Sequence, residues 1–173
     1  MSDVAQQPFT IRCLKPHEWQ LLKALRVRAL AEAPQSYWET ADEVGARDDV
    51  YWMTFARKLT TPGGSRMFIV GHDESVAGFM FGVKHDGDEY RVGGLWVDPM
   101  QRRKGLGTSL VQEVVRWAKR DSNTAVIQLW CPIGSTESFY ERNGFHSLNR
   151  FRPHDADGRQ IVEMEISPGA VLP

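Results

Sequence analysis

Apolar residues recur along this chain with two different periods, and the change between them divides it into elements. Residues 9 to 14 alternate as a strand, and Pro16 follows where an early helical residue would stand. Trp19, Leu22, Leu25, Ala29 and Leu30 then trace one helical face that stops at Pro34. Asp48 and Asp49 are placed to cap a second helix, in which Tyr51, Trp52, Phe55 and Leu59 share a face, and Pro62-Gly63-Gly64 ends it. The pattern next switches to strands at 66 to 71, 75 to 84 and 89 to 97, with Asp73-Glu74 and Asp86-Gly87-Asp88 as hairpin turns. Leu106, Leu110, Val114 and Ala118 return to helical spacing and predict a helix over 106 to 120. A strand at 124 to 131, a short helix at 135 to 142 closed by Asn143-Gly144, and strands at 145 to 152 and 160 to 166 around Asp157-Gly158 complete the pattern. Residues 167 to 173, with two prolines, read as a loose tail. Residues 1 to 173 therefore read as one α/β domain with a mixed sheet.

Composition narrows the classes of function. Hydrophobic residues make up 42% and charged residues 25% of the 173, as in an ordinary globular protein with a full core. A formal net charge of −1 argues against a general nucleic-acid or anionic-membrane binder. No apolar run has the length of a membrane span and Met1-Ser2-Asp3 does not start a signal peptide, so a reducing cytoplasm is expected. The two cysteines, Cys13 and Cys131, have no metal-ligand or redox spacing, and the five histidines form no ligand motif, so no metal is expected. Monomer and homodimer remain equally open.

The chemistry concentrates in Leu95-Trp96-Val97-Asp98-Pro99-Met100-Gln101-Arg102-Arg103-Lys104-Gly105-Leu106-Gly107-Thr108. A strand ends, three cations follow, two glycines come next and a helix begins. The first amides of a helix lack partners and its N-terminus carries partial positive charge, so such a turn is suited to an anion. Glycine at 105 and 107 lets those amides approach the anion with no Cβ in the way. The lysine of a Walker loop is missing before Thr108, and Leu110 stands where a dinucleotide fingerprint has its third glycine, so both common nucleotide motifs fail.

Val97, Pro99, Arg102, Gly105 and Gly107 fill the pattern V-x-P-x-x-R-x-x-G-x-G, which resembles the acetyl-CoA pyrophosphate loop of the GNAT superfamily of N-acetyltransferases. Phe139-Tyr140-Glu141-Arg142-Asn143-Gly144-Phe145 is similar to a second motif of that superfamily, in the right order. The resemblance covers residues 66 to 166 well and the first 60 loosely. It implies a mixed, mainly antiparallel twisted sheet flanked by helices, with acetyl-CoA as acyl-donor cosubstrate and a small-molecule or peptide amine as acceptor. It further implies that Arg102, Arg103, Lys104, Gly105, Leu106, Gly107 and Thr108 cradle the phosphates, that the main chain of Leu95, Trp96 and Val97 pairs with pantetheine, and that Tyr140 is the general acid.

Several positions depart from the superfamily pattern. Some relatives carry a glutamate base where this chain has Arg91, leaving Glu89, on the same strand face, as the candidate base. Ile133 and Thr136 replace an asparagine and an alanine of many relatives, so Ser135 or Ser138 is expected to take over the pantetheine contact. Cys131, at a strand end, reads as a small buried residue rather than a nucleophile. Between the first two helices, Glu32, Glu39, Asp42, Glu43, Asp48 and Asp49 outnumber Arg47 among aromatic residues. That segment reads either as a surface favouring a cationic amine or as a solvated acidic loop. A non-catalytic acyl-CoA sensor is the alternative to an enzyme.

Overall fold

Strand β2 (Arg66–His72) has to be covered on both sides. Met67 and Ile69 point to one face and Phe68 and Val70 to the other, and all four are buried. In the computed structural model, which describes residues 8–72, 75–155 and 157–170, helices cover both faces of the sheet. On one side α1 (Trp19–Glu32), α2 (Ala41–Gly45) and α3 (Asp49–Lys58) bury Leu22, Leu25, Leu30, Val44 and Trp52. On the other, α4 (Leu106–Asp121) and α5 (Ser135–Arg142) bury Leu110, Val111, Val114, Val115 and Tyr140. Each large apolar side chain removed from water contributes about 1.5–3 kcal/mol before chain entropy is counted.

The sheet also contains β1 (Thr10–Cys13), β3 (Ser75–Lys84), β4 (Glu89–Val97), β5 (Val126–Pro132), β6 (His146–Pro153) and β7 (Gln160–Ile166). The seven strands lie in the order β1-β2-β3-β4-β5-β7-β6. Every neighbouring pair is antiparallel except β4 and β5, which are parallel. The mixed, mainly antiparallel sheet expected from the sequence is thus the one found.

Two features of β4 create the site. Phe79 pairs with Trp96 and Phe81 with Gly93, so β4 carries one residue more than β3 across that interval, and Gly94 sits there at φ 62°. An extra residue inverts the alternation of side chains. Tyr90 and Val92 face α4, whereas beyond the bulge Leu95 and Val97 take that side and Trp96 joins the core under α1. Secondly, the pairing of β4 with β5 stops at Arg91 and Gln128. Past that point the strands part, leaving the inner edge of β4 unpaired among the described residues.

Some expected boundaries shift for local reasons. Asp48 does cap α3, accepting from the Tyr51 amide at 2.8 Å, but Tyr51 itself is exposed while Trp52 and Ala56 carry the buried face. The stretch between α1 and α3 is not simply a loop: Pro34–Ser36 forms a 3-10 turn, and Thr40 and Glu43 make a capping box for α2. Strand β5 begins at Val126 rather than 124, because Thr124 turns its hydroxyl to the Asp88 carboxylate. The expected turn at Asp73-Glu74 lies outside the described residues. So does the tail beyond Ala170, whose carbonyl accepts a hydrogen bond from Lys119 of α4.

Candidate active site

The turn after β4 is held in place from α1. Asp98 accepts from the Met100 amide at 2.9 Å, starting the 3-10 turn Pro99–Gln101, and receives Arg28 at 2.5 Å. Arg28 also lies over the Trp96 ring, 5.1 Å from its centroid. Glu32, at the end of α1, accepts from Trp96 Nε1 at 3.1 Å and from Arg102 at 2.7 Å, and Arg102 Nε donates to the Val97 carbonyl at 2.9 Å. Arg102 is therefore engaged by the protein itself. It fastens the loop to the strand.

From here the backbone turns sharply. Arg103 has φ 67° and Gly105 φ 78°, two left-handed residues that present the loop's amides ahead of α4. Among the described residues, the N–H groups of 103 to 108 donate no hydrogen bond, and Gly105 caps the helix without a side-chain bond. Six consecutive unspent donors at a helix N-terminus form a concentrated anion-binding surface. A Cβ on Gly105 would meet no atom within 4 Å, so open space lies over the loop.

That space is a cavity of about 540 Å³. Leu95, Trp96, Val97, Arg102, Arg103, Gly105, Leu106, Gly107 and Thr108 all line it, together with Gln101 and, from α5, Ser135, Thr136 and Phe139. Two expected members are not brought there. Lys104 turns back to Gln101 Oε1 at 2.7 Å and stands over Phe9, and Ser138 lies off the wall, since the helical turn presents Ser135 and Thr136 instead. The Lys104 side chain and Ser138 thus stand off this wall, while the Lys104 amide stays among the unspent donors.

A second cavity of about 470 Å³ adjoins the first, and Ser36 and Tyr37 line both. Gly93 and Gly94 of β4 and Leu129 and Trp130 of β5 form its far wall. Two chambers meeting at one wall can seat a donor and an acceptor side by side. Tyr140, on the buried side of α5, is 6% exposed and lines neither cavity, and its hydroxyl has no hydrogen-bond partner among the described residues. Burial raises its pKa above the ordinary tyrosine range, with Cys131 and Tyr37 adding to the effect. The Tyr37 hydroxyl is likewise pushed up to about 12, chiefly by burial. Both phenols hold their protons at neutral pH.

Glu89 is not brought to the site. It begins β4, exposed and paired with Val126, outside both cavities. At about 3.3 Å per residue, six to eight residues of strand put it roughly 20 Å or more from Leu95–Val97. Most of the acids between the first helices already have partners within the chain. Glu39 takes Arg26 at 3.2 Å and Arg47, Glu43 and Asp48 cap helices, and Asp49 faces Lys23 at 3.7 Å. Cys131 is buried, its thiol pushed up to about 12 by desolvation, and it contacts Met164 Sδ at 3.4 Å. It is packing. Among the described residues no cluster of His, Cys, Asp or Glu could hold a metal, and no helix is long and apolar enough to cross a membrane.

Sequence reasoning missed the second cavity's polar wall, formed by Arg26, Arg91, Arg152 and His154. Arg152 reaches it only because β6, β7 and β5 register Arg152 with Ile161 and Ile161 with Pro132. No local pattern in the chain announces that pairing.

Comparison with known proteins agrees with this geometry. The profile of the acetyltransferase (GNAT) family matches residues 27–145. No curated protein sequence matches the chain. Among solved structures, an acetyltransferase of the GNAT family from Streptococcus pneumoniae is similar at 15% identity and TM-score 0.76, over 92% of this chain and 99% of that one. YncA from Salmonella typhimurium, solved with its cofactor acetyl-CoA, is 16% identical with TM-score 0.72, over 95% and 96% of the two chains. The ribosomal-protein-S18-alanine N-acetyltransferase of Escherichia coli is 17% identical with TM-score 0.65, over 95% and 96%. With the family profile spanning more than half of its residues, this chain belongs to the acetyltransferase (GNAT) family.

Proposed function

We propose that the protein transfers an acetyl group from acetyl-CoA to a primary amine, with donor and acceptor bound together. The observation that carries this reading is the run of six unspent amides at 103 to 108, opening onto a cavity that shares a wall with a second one. Acetyl-CoA, when bound, supplies the acetyl group as an activated thioester. The amides and Arg103 hold its diphosphate, and the unpaired edge of β4 at Leu95–Val97 offers main-chain groups to the extended amide-bearing arm. One of those amides faces the carbonyl oxygen on which charge develops.

Proton movement falls to Tyr140. As the amine nitrogen forms its bond to the acetyl carbon, the carbon–sulfur bond breaks and the sulfur leaves with the electron pair. The Tyr140 hydroxyl, kept protonated by burial, donates to it. An alkylamine near the reference pKa of about 10.4 has to shed one proton before attack and one afterwards. Glu39, the carboxylate on the acceptor wall, is held by Arg26 and Arg47, so water carries those protons, releasing one and returning the other to Tyr140.

Thiol release from acetyl-CoA, measured against panels of amines, amino acids, polyamines and peptides, tests the reaction. A saturable, acceptor-dependent release is expected. Acetyl-CoA that stabilises the fold yet is never turned over would leave a binding protein.

A further inference from the structure

The acceptor cavity carries positive charge that the transfer reaction does not use. Its wall holds Arg26, Arg91 and Arg152 against one carboxylate, Glu39. Arg26 and Arg47 share Glu39, while Arg91 and Arg150 share the buried Glu163. In each case two guanidinium groups meet a single carboxylate. Arg152 is left over, and among the described residues its guanidinium makes neither an ion pair nor a hydrogen bond.

Arg152 is exposed yet bracketed by two indoles. Its guanidinium lies over Trp130 at 4.6 Å from the ring centroid and over Trp38 at 5.1 Å. Trp38 is itself stacked on His154 with centroids 4.1 Å apart and planes 10° from parallel. Each such cation–aromatic contact restrains the guanidinium, and none consumes an N–H donor. The result is a planar fork of donors, oriented in advance and unspent, which suits a carboxylate taken by two parallel hydrogen bonds. Holding the fork before binding reduces the entropy that would otherwise be lost on binding. Phe55, Leu59, Phe81, Leu129 and Ile161 give the same wall an apolar stretch.

We propose that the acceptor is an amine that also bears a carboxylate on an apolar body, and that Arg152 is the specificity-determining residue that receives the carboxylate. The amine half of this statement rests on the acetyl-transfer reading above; the carboxylate half rests on the cavity alone. A single unspent fork favours a planar monoanion over a phosphate ester, and the surplus of guanidinium groups disfavours polyamines.

Product-like probes separate the two halves. N-acetyl-L-phenylalanine and N-acetyl-L-leucine, with their primary amides and the matching aminophosphonates, are titrated into the protein without acetyl-CoA. Binding is followed by quenching of tryptophan fluorescence, since Trp38 and Trp130 flank Arg152. The acids are expected to bind about tenfold or more tightly than the amides, and Arg152→Gln should erase that difference. In turnover, Arg152→Gln should raise KM for amino acids and leave kcat close to wild type, because the contact is the same in ground and transition states. The shift in Tm caused by acetyl-CoA, read on the same variant, should be unchanged. Equal binding of acids and amides, tighter binding of the phosphonates, failure of every acid to bind, or a preference that survives in Arg152→Gln would overturn the proposal. Loss of the acetyl-CoA shift in wild type would instead overturn the acetyl-transfer reading, while the acid-to-amide ratio would still decide this one.

Discussion

Arg91 on β4 donates a 2.6 Å hydrogen bond to the Glu163 carboxylate on β7, reaching across the intervening strand β5. Arg150 on β6 completes the pair from the other side at 3.1 Å. Glu163 is 5% exposed. Burial alone would push its carboxyl up, but the hydrogen bonds and charges of Arg91 and Arg150 outweigh that and hold it below the usual carboxylate range. Three strands are thereby tied together, and Arg91 is fixed on the wall of the second cavity.

Glu163 should make part of the stability depend on pH. Its folded pKa is lowered, so its stabilisation is complete above the unfolded value of about 4.3 and disappears as pH falls through the folded value. Glu163→Gln should cost about 1–3 kcal/mol at neutral pH, with both arginines left half-exposed and unpaired. Urea midpoints from pH 7 downward should show the gap between wild type and variant closing in acid. A gap that stays constant would mean the carboxylate's charge contributes nothing.

Gly105 should be required for the anion rather than for the core. Valine there faces no clash with protein atoms, but φ 78° costs a branched residue about 1–2 kcal/mol and puts its side chain over the amides. Gly105→Val is expected to stay folded and to lose the rise in Tm that grows with acetyl-CoA concentration. Retention of that rise would remove the cradle from 103 to 108.

Arg102 and Arg103 should behave differently although they are adjacent. Arg103 is free to meet phosphate, so CoA should bind better than its pantetheine fragment, and Arg103→Ala should reduce that advantage and its sensitivity to salt. Arg102 is committed to Glu32 and Val97, so Arg102→Ala should lower stability by about 1 kcal/mol and leave more of the salt dependence intact. Titrations of both ligands at two ionic strengths distinguish the pair. An identical response in the two variants would refute the distinction.

Tyr140→Phe keeps the ring that packs against Phe139 and Phe145 and removes only the donor. Fold and acetyl-CoA affinity should persist while the transfer rate falls roughly one hundred to ten thousand-fold, the usual span of general acid catalysis. Single-turnover measurement is the appropriate check. A rate within a few-fold of wild type would assign proton delivery to water.

Much of the candidate cradle is legible in the chain because its parts are contiguous. The end of β4, the basic turn, Gly105 and the first turn of α4 follow one another without interruption, and backbone conformation at neighbouring residues determines where their amides point. Helical and strand periods likewise set the mainly antiparallel sheet and its two helical layers, since each period dictates which side chains share a face. Local spacing does not decide that the Lys104 side chain and Ser138 stand off the wall, because a helical or turn residue near a cavity reaches it only if its rotation is right. Tertiary structure alone decided the rest. Glu89 shares a strand face with Arg91 but stands at the opposite end of β4 from Leu95–Val97, and Glu39, Glu43, Asp48 and Asp49 find partners on α1, on Arg47 and in their own caps. The clamp of Arg152 between Trp38 and Trp130 joins residues from three separate parts of the chain. Such contacts depend on strand register and on the parting of β4 from β5, which are fixed by the packing of the whole sheet and carry no local signature.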